Sequence, residues 1–270
     1  IKLYAKQRRL VTLVTEQIYE KEKNNQMMIS ILSHIMEFRN GESGLHVHHI
    51  NVLTSMLLER LVQKTDRYHL SWSDQLMITT ASALHDIGKM GIDENILNKP
   101  GRLTKEEFEE MKKHTLIGAS MLKSLELYQD EKLVQIAYQI CRWHHERYDG
   151  KGYPDGLKGE EIPIAAQVVS IADVYDAMTA ARSYRAPLCP FEVIAEFEKD
   201  GLQKYKPKYI LTFLENIANA YQNNRVMLSD GTSARIVLLN HRRLSKPLVQ
   251  LDDGACIDLE KSPLYIKAII

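Results

Sequence analysis

Residues 84–89 read Leu84-His85-Asp86-Ile87-Gly88-Lys89. An apolar stretch from Leu76 to Leu84 delivers an imidazole and a carboxylate side by side. Polar groups at the end of such a stretch are costly to bury unless they are paired or metal-bound. Neutral imidazole and carboxylate are the ligands a divalent metal takes when its task is hydrolysis and not electron transfer. Asp86 has two oxygens and can bridge two cations. Lys89 stands one turn beyond His85, within reach of a phosphate held there. The ordinary alternative is a capped helix end with a surface salt bridge.

Outward from this stretch the chain reads as mainly α. Ser71-x-x-Asp74 is a capping-box start for a helix running to His85-Asp86. Thr104-x-x-Glu107 starts another, read as continuing through His114. Pro163 suits a first turn, and the helix beyond it carries Asp173. Pro190 opens a helix expected to stop near Gly201, and Lys208 to Asn223 reads as the last long helix. At the other end, residues 1 to about 36 read as one helix, with apolar residues at Leu10, Val14, Met28, Ile31 and Ile35. Its middle, Glu20 to Gln26, is wholly polar, so a strict coiled coil is not supported. It is either a surface helix of its own domain or a signalling and dimer helix arriving from upstream. After about Arg225 the period changes. Asp230-Gly231 and Asp253-Gly254 are hairpin signals, so the tail reads as a β appendage of three or four strands. The expected division is a linker helix at 1–36, a helical body at 37–224 and a β-rich subdomain at 225–270.

Composition narrows the function classes. With 35 basic and 35 acidic residues the chain has no net charge, which argues against nucleic-acid polymers as partners. Cys141, Cys189 and Cys256 form no C-x-x-C pair, so neither a thiolate metal site nor a disulfide framework is suggested. That usage fits a reducing, cytoplasmic setting. No apolar run is long enough to span a membrane. The first residue is Ile and the opening is already helical, so the chain reads as part of something longer.

Other candidates flank the central pair. Glu42 and His46 are four apart and share a helix face. Alone they would read as solvent-facing, and His114 in Met111-Lys112-Lys113-His114-Thr115 as a polar-face residue. His144-His145 precedes the glycine-rich run Asp149-Gly150-Lys151-Gly152-Tyr153-Pro154-Asp155-Gly156, which can bring backbone close to a ligand. Asp173 and Asp176 lie three apart in a mostly apolar stretch and need partners. Arg182 and Arg185 can grip phosphate oxygens, or pair with those aspartates. His34, His48, His49, His69 and His241 carry no such context and are read as structural.

Together these segments resemble the HD-GYP family, the bacterial branch of HD phosphohydrolases that cleaves cyclic di-GMP. His85-Asp86-Ile87-Gly88-Lys89 is similar to its HD part, and His144 to Pro154 to its HHxxxxGxGYP part. Ile96 to Thr104 and Ile171 to Thr179 also match its style. The resemblance is close from Glu42 to Arg185 and loose to about Asn223. It implies an HD-type helical bundle, with a long N-terminal helix and a small C-terminal β appendage. It implies His46, His85, Asp86 and Asp173 as ligands of a first metal. His114, His144 and His145 would hold a second with Asp86 shared, and Glu42 a third in some members. Lys89, Arg182 and Arg185 match phosphate-meeting positions, with Asp86 and Lys89 nearest the chemistry. Tyr153 would line the rim as a substrate contact. Iron is the expected metal and manganese the second choice, since N/O ligation does not select one. Asp93, Ala181 and Ala186 depart from the family's frequent Pro, Asp and Lys.

The implied reaction is metal-assisted hydrolysis of cyclic di-GMP to pGpG, with GMP as a further product. A non-catalytic cyclic-dinucleotide sensor and an HD-type nucleotide phosphohydrolase stay open as alternatives. The implied partners are a second copy through the N-terminal helix, an upstream sensory or receiver domain, and a GGDEF protein at the GYP loop.

Overall fold

The computed structural model describes residues 2–39, 45–64, 70–180 and 186–270; within the first helix, the side chains of 2–7, 18, 22, 25, 26, 33 and 36–38 lie outside the description. Ten α-helices are present among the described residues: α1 Lys2–Arg39, α2 His46–Lys64, α3 Trp72–Ser82, α4 Glu94–Leu97, α5 Lys105–Lys112, α6 His114–Lys123, α7 Lys132–Trp143, α8 Ile164–Thr179, α9 Pro190–Lys204 and α10 Pro207–Ala220. Five strands follow: β1 Arg225–Leu228, β2 Ser233–Leu238, β3 Leu248–Leu251, β4 Cys256–Asp258 and β5 Ile266–Ile269.

Local chemistry starts the helices where the sequence places them. Ser71 Oγ accepts from the Asp74 amide, and Asp74 returns the bond to the Ser71 amide. Thr104 and Glu107 do the same for α5. Pro190 and Pro207 open α9 and α10, where a missing N–H costs nothing. α8 is buried on nearly every side from Ala165 to Ala172, as expected of a central helix. It packs on α2 and α7, while α3 closes against α2 and α7. Ile50, Leu57, Leu61, Ile140, Val168 and Ile171 fill the space between them.

Four expectations need correction. The helix begun at Thr104 does not carry His114. α5 ends at Lys112, Lys113 closes a tight turn onto Glu110, and His114 opens α6. α9 runs through Gly201 to Lys204, because Gly201 is buried against Phe197 and Ile210 and serves close packing, not termination. The tail has five strands, in the antiparallel order β4-β3-β2-β1-β5, because the last segment returns to pair with β1. Gly231 and Gly254 take φ of 89° and 90° in the two hairpin turns, a region open to glycine. The inward residues Val226, Leu228, Ile236 and Val249 join the helical core.

Regular α3 also ends before the central pair. From Ala83 the chain tightens into three-residue turns, and a 3-10 segment spans Ile87–Gly91. This segment lies across α6 and meets the end of α1, whose Arg39 donates to the carbonyls of Met90 and Ile92. No helix among the described residues is long and apolar enough to cross a membrane.

Candidate metal centre

Five elements bring the predicted ligands together. His46 opens α2, His85 and Asp86 follow α3, His114 opens α6, and His144 and His145 follow α7. Asp173 faces them from the middle of α8. His46, His85, His114 and His144 are buried, and the side chains of Asp86 and Asp173 are only 15% exposed. Donor atoms of His46, His85 and Asp86 lie within 4.8 Å of one another, and so do those of His114, His144 and His145.

Asp86 stands between the two groups. Its Oδ2 is 3.2 Å from His85 Nε2, while its Oδ1 is 3.3 Å from His114 Nε2 and 3.8 Å from His144 Nε2. Asp173 Oδ1 lies 3.8 Å from His46 Nε2 and 3.9 Å from His85 Nε2.

The rings are turned by bonds at their other nitrogens. His85 Nδ1 donates to the Ser82 carbonyl at 2.9 Å, His114 Nδ1 to Met111 at 2.7 Å, and His144 Nδ1 to Ile140 at 2.9 Å. A carbonyl only accepts, so each Nδ1 carries the proton and Nε2 is left for a ligand. His46 Nδ1 meets Asp176 Oδ2 at 2.6 Å, with the same result. Asp176 Oδ1 takes His49 Nδ1 at 2.7 Å. Asp176 therefore orients His46, while Asp173 faces the centre.

Buried His85 Nε2 and Asp86 Oδ1 have no hydrogen-bond partner among the described residues. Orphaned buried donors of these types, with Asp86 Oδ2 beside His85 and Oδ1 beside His114 and His144, fit a divalent cation. Electrostatics agree for three of the rings. Burial, then the neighbouring ring charges, lowers His144 to about 3, and burial first also lowers His114 and His145. These three are neutral imidazoles at ordinary pH. Burial also disfavours charge on His85, but Asp86 and Asp173 override it and raise it to about 9. Asp86 is held well below the usual carboxylate range, since Lys89 and His85 outweigh its burial.

Lys89, expected to meet phosphate, donates to Asp86 Oδ2 at 2.7 Å. Tyr153 stacks on His145, with ring centroids 4.8 Å apart and planes at 28°. Burial, then Asp86 and Asp173, pushes its phenol up, so it keeps its proton. The loop is held by Glu146, whose Oε1 accepts from the amides of Asp155 at 2.7 Å and Gly156 at 2.9 Å. Arg142 and Trp143 bind Asp155 from α7. Glu42, Arg182, Arg185 and His69 lie outside the described residues.

The sequence reading missed the parts of Asp176, His49 and Glu146. A signal was available for two of them: His46-x-x-His49 on α2 and Asp173-x-x-Asp176 on α8 share the same one-turn spacing. Losing an outer partner of a ligating histidine typically costs ten- to a hundredfold in metal affinity. Asp176→Asn is accordingly expected to weaken metal binding by roughly tenfold or more, measured by competition with a chelator. Unchanged affinity would remove Asp176 from this role. His48, exposed on α2, is the contrast. His48→Ala is expected to change metal content and turnover by less than about twofold, as for surface substitutions generally.

Comparison with known proteins places this geometry in context. The family model described as HD domain matches residues 26–209. A probable cyclic di-GMP phosphodiesterase of Vibrio cholerae serotype O1 is 36% identical over 209 residues, covering 76% of this chain and 47% of the relative. A 3′3′-cGAMP-specific phosphodiesterase of the same organism is 37% identical, covering 68% of this chain and 33% of the relative. The chain thus spans half or less of the length of these two curated relatives. Among solved structures, a cyclic GMP-AMP specific phosphodiesterase of V. cholerae aligns with a TM-score of 0.51 at 18% identity, covering 72% of this chain and 49% of that one. At that identity it speaks for the fold alone.

Proposed function

The chain belongs to the HD-GYP group of the HD domain family, and on that premise we propose that it is a metal-dependent phosphodiesterase hydrolysing cyclic di-GMP to pGpG, with GMP as a further product. The observation that supports this most is the position of Asp86, one oxygen turned to His85 and the other to His114 and His144.

His46, His85, Asp86 and Asp173 would hold one divalent ion, and Asp86, His114, His144 and His145 a second. Glu42 is proposed for a third. Iron is the first choice and manganese the second. A bound divalent metal supplies Lewis acidity, making water a nucleophile near neutral pH and taking up phosphoryl charge. The protein's own groups would do the rest. Asp86 holds Lys89 at the edge of the centre, where its ammonium is fixed positive charge for a phosphoryl oxygen. Arg182 and Arg185 are proposed to add to it. Tyr153, keeping its proton, would serve as a hydrogen-bond donor to substrate and not as a base. Burial of the histidines excludes competing water.

A second substrate reading, 3′3′-cGAMP, is favoured by the relative named for that activity. One experiment addresses both. Protein purified without oxygen is assayed for metal content, and its products from cyclic di-GMP, 3′3′-cGAMP and a dNTP panel are identified. Binding without turnover under both Fe(II) and Mn(II) would favour a sensor, and dNTP hydrolysis alone a nucleotide phosphohydrolase.

The wider assignments are also proposals. Leu10, Val14, Met28, Ile31 and Ile35 are exposed along α1, which supports a contact between two copies there. An upstream sensory or receiver domain, a GGDEF partner at residues 152–154 and a cytoplasmic location complete the reading.

A further inference from the structure

The geometry points to a base-binding subsite on α5, formed by Phe108 and Lys112 beside Tyr153, that stacks one purine of the cyclic dinucleotide. The inference rests on the phosphodiesterase reading above. Phe108 is a large apolar side chain left 46% exposed on a helix whose other residues are mostly charged. It is not isolated. Its ring meets the Tyr153 ring edge-on, with centroids 6.4 Å apart and planes at 82°. Tyr153 in turn stacks on His145, a member of the second histidine group. The aromatic surface therefore begins at the candidate metal ligands and runs outward to Phe108.

Lys112 gives this surface a cation. Its Nζ lies 5.1 Å from the Phe108 centroid and 5.4 Å from the Tyr153 centroid, and Glu109 holds it from the same helix at 2.6 Å. A cation over ring faces is attracted by their quadrupoles. Flat rings beside a cation, next to a phosphate-handling centre, are the means by which proteins hold nucleotide bases without reading their edges.

Placement decides the occupant. A phosphodiester among the histidines carries its base one sugar away from the reacting phosphorus, and Phe108 stands one ring beyond the ring that touches His145. The loop that presents Tyr153 is clamped by Glu146, so this part of the surface is rigid before substrate arrives. A stacking surface tolerates either purine, so the subsite supplies affinity and leaves the choice between guanine and adenine to other contacts.

The test compares Phe108→Ala and Phe108→Trp in metal-loaded protein, with inorganic phosphate as a ligand that has no base. Removing one stacking side chain is expected to raise KM and Kd for cyclic di-GMP by about fivefold to a hundredfold, with the loss falling on KM more than kcat. Phe108→Trp is expected to restore most of it. The inhibition constant of inorganic phosphate is expected to stay within about twofold, since surface changes away from a ligand cost little. Equal weakening of cyclic di-GMP and phosphate, or no weakening of either, would overturn the subsite. Absence of cyclic-dinucleotide turnover by the unsubstituted protein would instead remove the phosphodiesterase reading, and the Kd values would then still decide the subsite.

Discussion

Asp86→Ala is expected to leave a folded protein that has lost most of its divalent metal and all measurable phosphodiester hydrolysis. The effect is large because one side chain serves two groups of ligands. Its Oδ2 faces His85 and its Oδ1 faces His114 and His144, so the substitution removes a donor from both sides at once. Losing a mere outer partner already costs ten- to a hundredfold in affinity, so losing a shared ligand is expected to exceed about a hundredfold in activity. A secondary effect adds to this. Lys89 loses its carboxylate partner, and its charge then opposes a cation in the centre. Metal content by elemental analysis and turnover of cyclic di-GMP check the prediction together. Metal retained at the unsubstituted level would show that Asp86 is not shared.

The second large effect is expected from a residue with no side chain. A Cβ at Gly88 would run into the His114 carbonyl and the Gly118 amide, both backbone atoms that cannot swing aside. Gly88→Ala therefore has to part the 3-10 segment from α6, carrying Asp86 away from His114. Forced overpacking costs about 1–3 kcal/mol, and the displacement falls on the gap between Asp86 and the second histidine group. A lower melting temperature and loss of about half the bound metal are the expected readings, by thermal unfolding and elemental analysis. Normal metal content in a destabilised protein would mean that the backbone relaxes away from the centre. Gly118→Ala is milder, since its closest contact to the same segment is 3.0 Å.

Much of the centre was legible because its residues sit in short, chemically unusual runs. His85-Asp86 and His144-His145 each interrupt the end of an apolar helix, where burial demands a partner. What the runs could not reveal was direction. Asp173 and Asp176 are equivalent in sequence, one turn apart on the same helix. Only the packing of α8 on α2 turns Asp176 toward His46 and His49 and Asp173 toward the centre. The break between α5 and α6 was hidden for a similar reason. Nothing near Lys113 resembles a helix stop, and the break lies where the 3-10 segment presses on His114. Gly201 misled in the opposite sense, since a glycine needed for close helix packing looks like a terminator in one dimension. The hairpin turns were plain, but the pairing of the final segment with β1 joins residues about forty positions apart and leaves no local trace.

The bonds at the Nδ1 atoms also bear on how the site would be loaded. The acceptors that turn the four rings are three carbonyls at helix ends and one carboxylate on the central helix, all in place once the helices have packed. The orientation of these rings is thus tied to the packing of the helices. A site built this way is expected to load after folding and to be emptied and refilled, in contrast to small domains that exist as folded objects only while their ion is bound; thermal unfolding before and after chelator treatment checks this.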